Sequence, residues 1–172
     1  RNPTQGILFA TLTVRGTPVA GNEDAASAGL ALTVGYSDAA GLPVDITRLP
    51  QGEDVIVDIV LRNTSREDLR HIALTQIVPS GWEIANDRLF DAGEGTGERG
   101  ARTASEDFRN QMAARADHVD IRDDRVMQFF DLAAGATIRF QTRINAAYRG
   151  RFYLPGVVAE AMYDATTHAR TA

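Results

Sequence analysis

Hydrophobic and polar positions alternate along much of this chain, as they do in β-strands with one buried face and one wet face. In four stretches the large apolar residues share one face: Leu30, Leu32, Val34 and Tyr36; Val55, Val57, Ile59 and Leu61; Ile138, Phe140, Ile144 and Ala146; and Val157, Ala159, Ala161 and Tyr163. Turn sequences separate these runs: Gly41-Leu42-Pro43, Pro50-Gln51-Gly52, Pro79-Ser80-Gly81 and Ala133-Ala134-Gly135. Strands at this spacing, joined by short turns, predict an antiparallel β-sandwich.

One segment departs from this alternation and predicts a helix. The residues from Thr103 to Glu106 have the spacing of a capping box, and Phe108 and Met112 then fall on one helical face. We expect about three helical turns over Ser105–Ala116, inserted between strands. Residues 93–100, ahead of the helix, are polar and rich in glycine, which predicts a mobile loop. The predicted fold class is therefore mostly β with one short inserted helix.

The first two dozen residues differ from the rest of the chain. Residues 7–14 have the composition of a strand, whereas residues 18–28 are a linker-like stretch of Gly, Ala, Ser and acidic residues. We therefore expect residues 1–26 to be a strand and linker from a preceding domain, and residues 27–172 to form the sandwich domain.

Composition excludes several classes of function. The net charge of −5 argues against a nucleic-acid partner, which would require a basic face to displace counterions from phosphates. All 18 basic residues are Arg, so lysine nucleophiles and Schiff bases are ruled out. Cysteine is absent, which rules out disulfides, thiol catalysis and Cys-ligated zinc. No apolar run is long enough to span a membrane, so we expect no direct membrane insertion by this segment.

Two motifs invite a ligand hypothesis that their surroundings weaken. Gly95, Gly97 and Gly100 have the spacing of a dinucleotide fingerprint, but no βαβ unit surrounds them, and neighbouring glutamates would repel a pyrophosphate. The acids near His118 form the second motif, a possible calcium or zinc site: Asp117, Asp120, Asp123 and Asp124. Arg122 and Arg125 alternate with these acids, so a ladder of charge pairs at the start of a strand is the simpler interpretation. We expect no cofactor and no metal.

The sequence offers no convincing nucleophile or acid–base pair. Ser80 lies in a Pro-Ser-Gly turn and lacks the strained strand-to-helix elbow of a hydrolase. The paired carboxylates are adjacent in sequence, so on a strand they would point to opposite faces and could not act on one substrate. We therefore expect the domain not to be an enzyme. A metal-dependent hydrolase built on the Asp117–Asp124 cluster is the least favoured hypothesis.

Large residues near the predicted strand ends admit two interpretations: Trp82, Phe152, Tyr153, Met162 and Tyr163. Core and corner packing is the more common role for such residues. The sharper hypothesis is that some of them, Tyr163 above all, dock on a neighbouring domain, because aromatic residues and Met are enriched in interface cores.

Several segments, in this order along the chain, are each similar to one family: Leu8–Glu23, Gly29–Asn63, Ile77–Leu89, Ile121–Leu132 and Gly150–Asp164. Together they resemble the C-terminal macroglobulin-like domain of the bacterial alpha-2-macroglobulin-like proteins. The resemblance implies a macroglobulin or immunoglobulin-like sandwich within a large periplasmic protein, often attached to the inner membrane, that entraps invading proteases. Many members carry a Cys–Gln thioester, which cannot lie in this cysteine-free segment.

By the same resemblance, the domain packs beside the domain that carries the thioester and helps to hold the resting conformation. Its partners would be the other domains of the same large chain and, through the parent protein, target proteases. The candidate domain-interface residues are charged or amphipathic and lie in the family-like segments: Arg122, Asp123, Asp124, Arg125 and Tyr163. The family pattern continues past Met162-Tyr163-Asp164 into a further short strand, which we expect to be missing or incomplete here.

One alternative belongs to a different class of function. A free-standing surface adhesion or carbohydrate-binding sandwich would share the fold, and it would place exposed aromatic residues on one sheet face.

Overall fold

The computed structural model describes residues 23–85 and 116–172, together with isolated positions between residues 9 and 21. The described residues form ten β-strands, named in chain order: β1 (Ala26–Ala28), β2 (Leu30–Ser37), β3 (Asp54–Asn63), β4 (Leu69–Ile77), β5 (Glu83–Ile84), β6 (His118–Ile121), β7 (Arg125–Leu132), β8 (Thr137–Asn145), β9 (Val158–Ala161) and β10 (Asp164–Arg170).

The strands form two sheets, and every pair of neighbouring strands is antiparallel. One sheet has six strands in the order β1-β10-β9-β4-β7-β6, and the other has four in the order β2-β3-β8-β5. The predicted antiparallel β-sandwich is therefore confirmed. The predicted helix and the glycine-rich loop lie outside the described residues, apart from Ala116, which is not helical.

The core lies between the two sheets and is built from the faces that the alternation predicted. Along β3, every second residue from Val55 to Leu61 is at most 1% exposed, and Ile144 of β8 is fully buried. Phe130 of β7 and Phe140 of β8 meet across the sandwich, with ring centroids 5.0 Å apart. Because burial of such side chains provides the main driving force for folding, truncating Phe140 to Ala should cost about 3–5 kcal/mol.

The outer face of the four-stranded sheet is polar, as predicted. Arg139 pairs with Asp58, and Arg143 pairs with Asp54, across the β3–β8 ladder. The Asn145 amide also donates to Asp54 Oδ1, at 2.8 Å. Arg143 first, and then Asn145, hold the pKa of Asp54 below its usual value. These exposed pairs fix the wet face of the strand, but each contributes little to stability because water screens them.

Asn63 ends β3 as a buried polar residue with every bonding group occupied. Its side chain is 0% exposed, and its amide donates to the carbonyl oxygens of Glu67, Leu132 and Ala133 at 2.8–3.1 Å. Its Oδ1 accepts from the backbone N–H and the hydroxyl of Ser65. The residue thereby joins the β3–β4 connection to the β7–β8 turn.

The C-terminal segment differs from the sequence prediction in two respects. The alternation placed Tyr163 on the buried face of its run, but β9 ends at Ala161, and Tyr163 lies in the following turn, 82% exposed. The further strand expected to be missing or incomplete is present as β10, which pairs with β9 and with β1. Asp164 explains the early end of β9, because it accepts hydrogen bonds from Thr166 and Thr167 and so closes the turn.

The N-terminal segment contributes one short strand to the six-stranded sheet. The linker-like stretch was predicted to extend through Ala28, but its last three residues form β1 and pair with His168–Arg170 of β10. The described positions between residues 7 and 14 are not in a strand, and among them Phe9 and Leu12 are 90% and 89% exposed.

Candidate interdomain contact surfaces

The five candidate interface residues lie at opposite ends of the six-stranded sheet. At one end, the Met162 N–H donates to the His71 carbonyl, which places the β9–β10 turn (Met162 and Tyr163) beside the start of β4. At the other end, the Val78 N–H donates to the Asp124 carbonyl, which places the β6–β7 turn (Arg122, Asp123 and Asp124) beside the end of β4. Seven residues of extended chain separate these points, a distance of about 23 Å. Tyr163 and the charged residues therefore cannot form one patch.

The β9–β10 turn presents two large side chains to solvent. Tyr163 is 82% exposed and Met162 is 51% exposed. The rings of Tyr163 and His71 pack in a T-shaped arrangement, with 5.4 Å between the centroids and an interplanar angle of 90°. Aromatic residues and methionine are enriched in the cores of protein interfaces, which makes this turn a candidate contact.

His71 supports this turn from an unusual backbone conformation. Its φ is +55°, in the left-handed region that residues with a Cβ seldom adopt. The register between β4 and β7 shifts at this point, between Leu69 and Ile72. The His71 N–H, turned out of the ladder, donates instead to Asp131 Oδ1 at 2.8 Å. The irregularity aims the imidazole at Tyr163 and so orients the exposed ring.

Asp164 holds the turn from its other side. Its Oδ1 accepts from the backbone N–H and the hydroxyl of Thr166, and its Oδ2 accepts from the hydroxyl of Thr167. The Thr166 hydroxyl first, and then that of Thr167, lower the pKa of Asp164 below its usual value. A carboxylate with three donors fixes the local backbone, so Met162 and Tyr163 project from a firmly defined turn.

The β6–β7 turn contains the charge pairs that the sequence predicted. Arg122 pairs with Asp120 at 3.0 Å, and Arg125 pairs with Asp124 at 2.6 Å. The Arg125 guanidinium holds the pKa of Asp124 below its usual value. Asp123 is exposed and makes no ion pair with any other described residue. Because each arginine already has a carboxylate partner, this turn offers a charged but largely neutralised surface.

The geometry does not favour the metal hypothesis. Within the described ranges, no group of three or more His, Asp or Glu side chains is arranged to hold an ion. Two of the acids in the Asp117–Asp124 cluster are in ion pairs with arginines, and the His118 ring packs against Phe129, with centroids 5.8 Å apart. The Gly95–Gly100 motif lies outside the described residues.

The alternative adhesion or carbohydrate-binding function required exposed aromatic residues on one sheet face. In the described part of the chain, the exposed aromatic residues after Phe9 lie in loops and turns: Tyr148, Phe152, Tyr153 and Tyr163. Trp82 is half-buried, with its ring 6.4 Å from that of Tyr36. A flat aromatic platform on a sheet is therefore not formed by these residues.

The sequence did not reveal the supporting residues of the β9–β10 turn. His71 had no suitable partner nearby in sequence, and its contact with Tyr163 spans more than ninety residues. No local signal marks the register shift, because it depends on the pairing of β4 with β7. Asp164 was the one supporting residue with a sequence signal, since an Asp with threonines two and three residues later is typical of a hydrogen-bonded turn.

A family model described as the bacterial alpha-2-macroglobulin MG10 domain matches residues 29–165. The chain belongs to this family. The match supports a non-catalytic domain of an alpha-2-macroglobulin-like protein, as the resemblance implied.

Among the described residues, no helix is long and apolar enough to cross a membrane.

Curated relatives of this MG10 domain are far longer than the chain itself. An alpha-2-macroglobulin homolog of Yersinia pestis is 29% identical over 156 residues, which cover 86% of this chain and 8% of the relative. An alpha-2-macroglobulin of Rickettsia conorii is 28% identical over 142 residues, which cover 83% of this chain and 7% of the relative. The MG10 domain therefore spans less than a tenth of the relatives it matches.

Solved structures share the fold of this domain. Trypsin-activated alpha-2-macroglobulin from Escherichia coli matches with a TM-score of 0.71 at 19% identity, over 87% of this chain and 10% of that chain. A Salmonella alpha-2-macroglobulin reacted with methylamine matches with a TM-score of 0.68 at 20% identity, over 87% of this chain and 9% of that chain. In these structures the matching domain is one part of a much longer multidomain chain.

Proposed function

We propose that this chain is the non-catalytic MG10 domain of a large periplasmic protein that traps proteases. In this role the domain packs beside the thioester-type domain of the same chain and helps to hold the resting conformation. The observation that carries the proposal is the β9–β10 turn, where an 82% exposed tyrosine projects from a firmly supported backbone.

The physical argument rests on the cost of such a turn in an isolated domain. An exposed Met–Tyr pair gains nothing from water, and the left-handed backbone of His71 costs about 1 kcal/mol or more. A fold keeps these features when a second surface covers them and benefits from the fixed orientation. A rigid aromatic anchor loses little conformational entropy on docking, which favours it at the centre of an interface.

The protease-trapping part of the proposal draws on the relatives. The Escherichia coli protein that shares this fold was crystallised after activation by trypsin, and a second structure of it was obtained after activation by porcine elastase. The Salmonella protein was crystallised after reaction with methylamine, a small nucleophile. A parent protein that responds to proteases in this way needs domains that separate on cleavage, and weak, specific contacts between domains meet that need.

The β6–β7 turn is proposed as a second and weaker contact. Arg122, Asp123, Asp124 and Arg125 lie about 23 Å from Tyr163 along β4, so they would touch a different part of the neighbouring structure. Exposed ion pairs of this kind typically contribute less than about 1 kcal/mol. Their role would be to select the orientation of docking rather than to supply its affinity.

The proposal is tested in the full-length protein that contains this domain. Tyr163→Ala removes the anchor, whereas Tyr163→Phe keeps the ring and removes only the hydroxyl. Leu42→Ala is the matched control, because Leu42 is 64% exposed in a different turn. Hydrodynamic size before protease addition and the rate of cleavage by a low concentration of trypsin are measured for each variant.

We expect Tyr163→Ala to increase the hydrodynamic size and to raise the cleavage rate severalfold. Tyr163→Phe and Leu42→Ala should behave as the wild type does. If Tyr163→Ala leaves both the size and the cleavage rate unchanged, the β9–β10 turn is not a resting-state contact, and the proposal fails.

A further inference from the structure

A groove of about 670 Å³ opens at the end of the sandwich opposite to the β9–β10 turn. Three segments form it: the loop before β3, the Pro79–Trp82 corner after β4, and the loop after β8. The volume lies in the range of sites that hold a small molecule or a few residues of peptide. Three of the segments that resembled the family in sequence meet in this one place.

The floor of the groove is closely packed. Phe152 fills the space beside two glycines, and a Cβ at Gly81 would lie 2.1 Å from its ring. A Cβ at Gly150 would lie 2.6 Å from the same ring. The Tyr148 N–H donates to the Gly81 carbonyl at 3.0 Å, which joins two of the walls.

The loop before β3 is likewise bonded to the loop after β8. The Gln51 side-chain amide donates to the carbonyl of Ala147 at 2.9 Å, and the Gly52 N–H donates to the carbonyl of Ala146 at 2.8 Å. The groove is therefore preformed in the folded chain, so a ligand would not have to pay for ordering it.

The rim of the groove is positively charged in a chain whose net charge is −5. Arg48, Arg149 and Arg151 line it, and none of the lining residues is Asp or Glu. Asp45 lies near Arg48, but the pKa of Asp45 is lowered first by the Thr47 hydroxyl and only last by Arg48. Within the described part of the chain, Arg149 and Arg151 make no ion pair.

We propose that this groove binds an acidic peptide segment that carries an aromatic or aliphatic side chain. The apolar side chain would lie against Trp82, Phe152 and the 61% exposed ring of Tyr148. Carboxylates on either side of it would pair with Arg149 and Arg151, whose planar guanidinium groups match a carboxylate in two-point contact. Positive charge alone would attract any anion, and the apolar floor is what favours a peptide.

The binding test uses the 172-residue chain and a fluorescein-labelled hexapeptide, Asp-Glu-Phe-Leu-Asp-Glu, titrated by fluorescence anisotropy. A second peptide with Asn and Gln in place of the acids isolates the charge contribution. A single-stranded oligonucleotide of the same net charge separates a peptide site from a general anion site. The variants are the double substitution Arg149→Gln/Arg151→Gln and the single substitution Tyr148→Ala.

The matched control is Arg62→Gln/Arg66→Gln, which makes the same charge change on exposed residues at the far end of β3. We expect saturable binding of the acidic peptide, weakened about tenfold or more by Arg149→Gln/Arg151→Gln and weakened also by Tyr148→Ala. The control should change affinity less than about twofold. The amide peptide and the oligonucleotide should bind much more weakly.

Three results would overturn the inference: no saturable binding of the acidic peptide, equal losses in the groove and control double variants, or equal binding of the oligonucleotide. The groove lies away from Tyr163, so these results leave the proposed role of the β9–β10 turn untouched.

Discussion

The rings of Tyr163 and His71 pack at right angles, with 5.4 Å between centroids and 90° between the ring planes. Tyr163 is the exposed aromatic residue of the β9–β10 turn. His71 is the one described residue, other than glycine, whose φ is positive. Backbone hydrogen bonds hold His71 in this conformation: its N–H donates to Asp131, and its carbonyl accepts from the Met162 N–H. We propose that His71, held in this way, orients the exposed ring of Tyr163.

Substitutions at His71 separate backbone strain from side-chain contact. His71→Gly should leave the free energy of unfolding unchanged or raise it by up to about 1 kcal/mol, because glycine adopts positive φ without steric cost. His71→Val should lower it by about 2 kcal/mol, because a β-branched side chain clashes there. Urea denaturation of both variants measures the difference, and equal stabilities would show that the backbone at His71 is not constrained.

The buried amide of Asn63 should be among the more sensitive polar positions of the domain. Asn63→Ala leaves the carbonyl groups of Glu67, Leu132 and Ala133 without their side-chain donor, and the expected loss of stability is about 2–4 kcal/mol. Thr64→Ala, at the exposed neighbouring position, should change stability by less than about 0.5 kcal/mol. Thermal denaturation of both variants checks this, and a loss below about 1 kcal/mol for Asn63→Ala would contradict it.

Gly81 should not tolerate a side chain while Phe152 is present. Gly81→Ala places a Cβ 2.1 Å from the Phe152 ring, so we expect a loss of about 2 kcal/mol or more. Gly35→Ala is the matched control, because its Cβ would meet only the Asp58 carbonyl oxygen at 4.0 Å. A double-mutant cycle with Phe152→Leu should give a coupling of about 1 kcal/mol or more. Strictly additive losses would mean that the two residues do not meet.

Acid should destabilise the domain in a defined pH range. The folded-state pKa is lowered at five described carboxylates: Glu23, Asp45, Asp54, Asp124 and Asp164. A lowered folded pKa means that the stabilisation is fully present above the unfolded value, near pH 4, and is lost as the pH falls through the folded values. Urea midpoints should be constant from about pH 7 to about pH 5 and fall below about pH 4.

Asp164→Asn provides the control for that pH dependence. The variant should be less stable than the wild type at neutral pH, because an amide cannot accept all three hydrogen bonds from Thr166 and Thr167. Its midpoint should then fall less on acidification, since one of the responsible carboxylates is gone. An acid response identical to that of the wild type would exclude Asp164 as a contributor.

The strands with one buried face were predictable from the sequence because burial leaves a period of two residues. Val55, Val57, Ile59 and Leu61 line the core as the alternation indicated, and Arg139 and Arg143 lie on the wet face. The alternation was wrong at Tyr163, where it continued past the end of β9. Periodicity cannot show where a strand stops, because Asp164 ends this one through hydrogen bonds to residues further along the chain.

The candidate surfaces were only partly predictable. Tyr163 and the charged residues from Arg122 to Arg125 lie in family-like segments, but no local pattern places them at opposite ends of one sheet. Their separation follows from the antiparallel pairing of β4 with β7 and β9, which is a tertiary property. The groove was unpredictable for the same reason, because its walls come from three segments that are distant in sequence.

The most direct measurement is an immunoblot of fractionated native cells, with an antibody raised against this domain. The account predicts a periplasmic or membrane-associated band many times larger than 18.6 kDa, which becomes smaller when intact cells are exposed to a protease that reaches the periplasm. A cytoplasmic band near 18.6 kDa would contradict the claim that this MG10 domain works as part of a large protease-trapping protein.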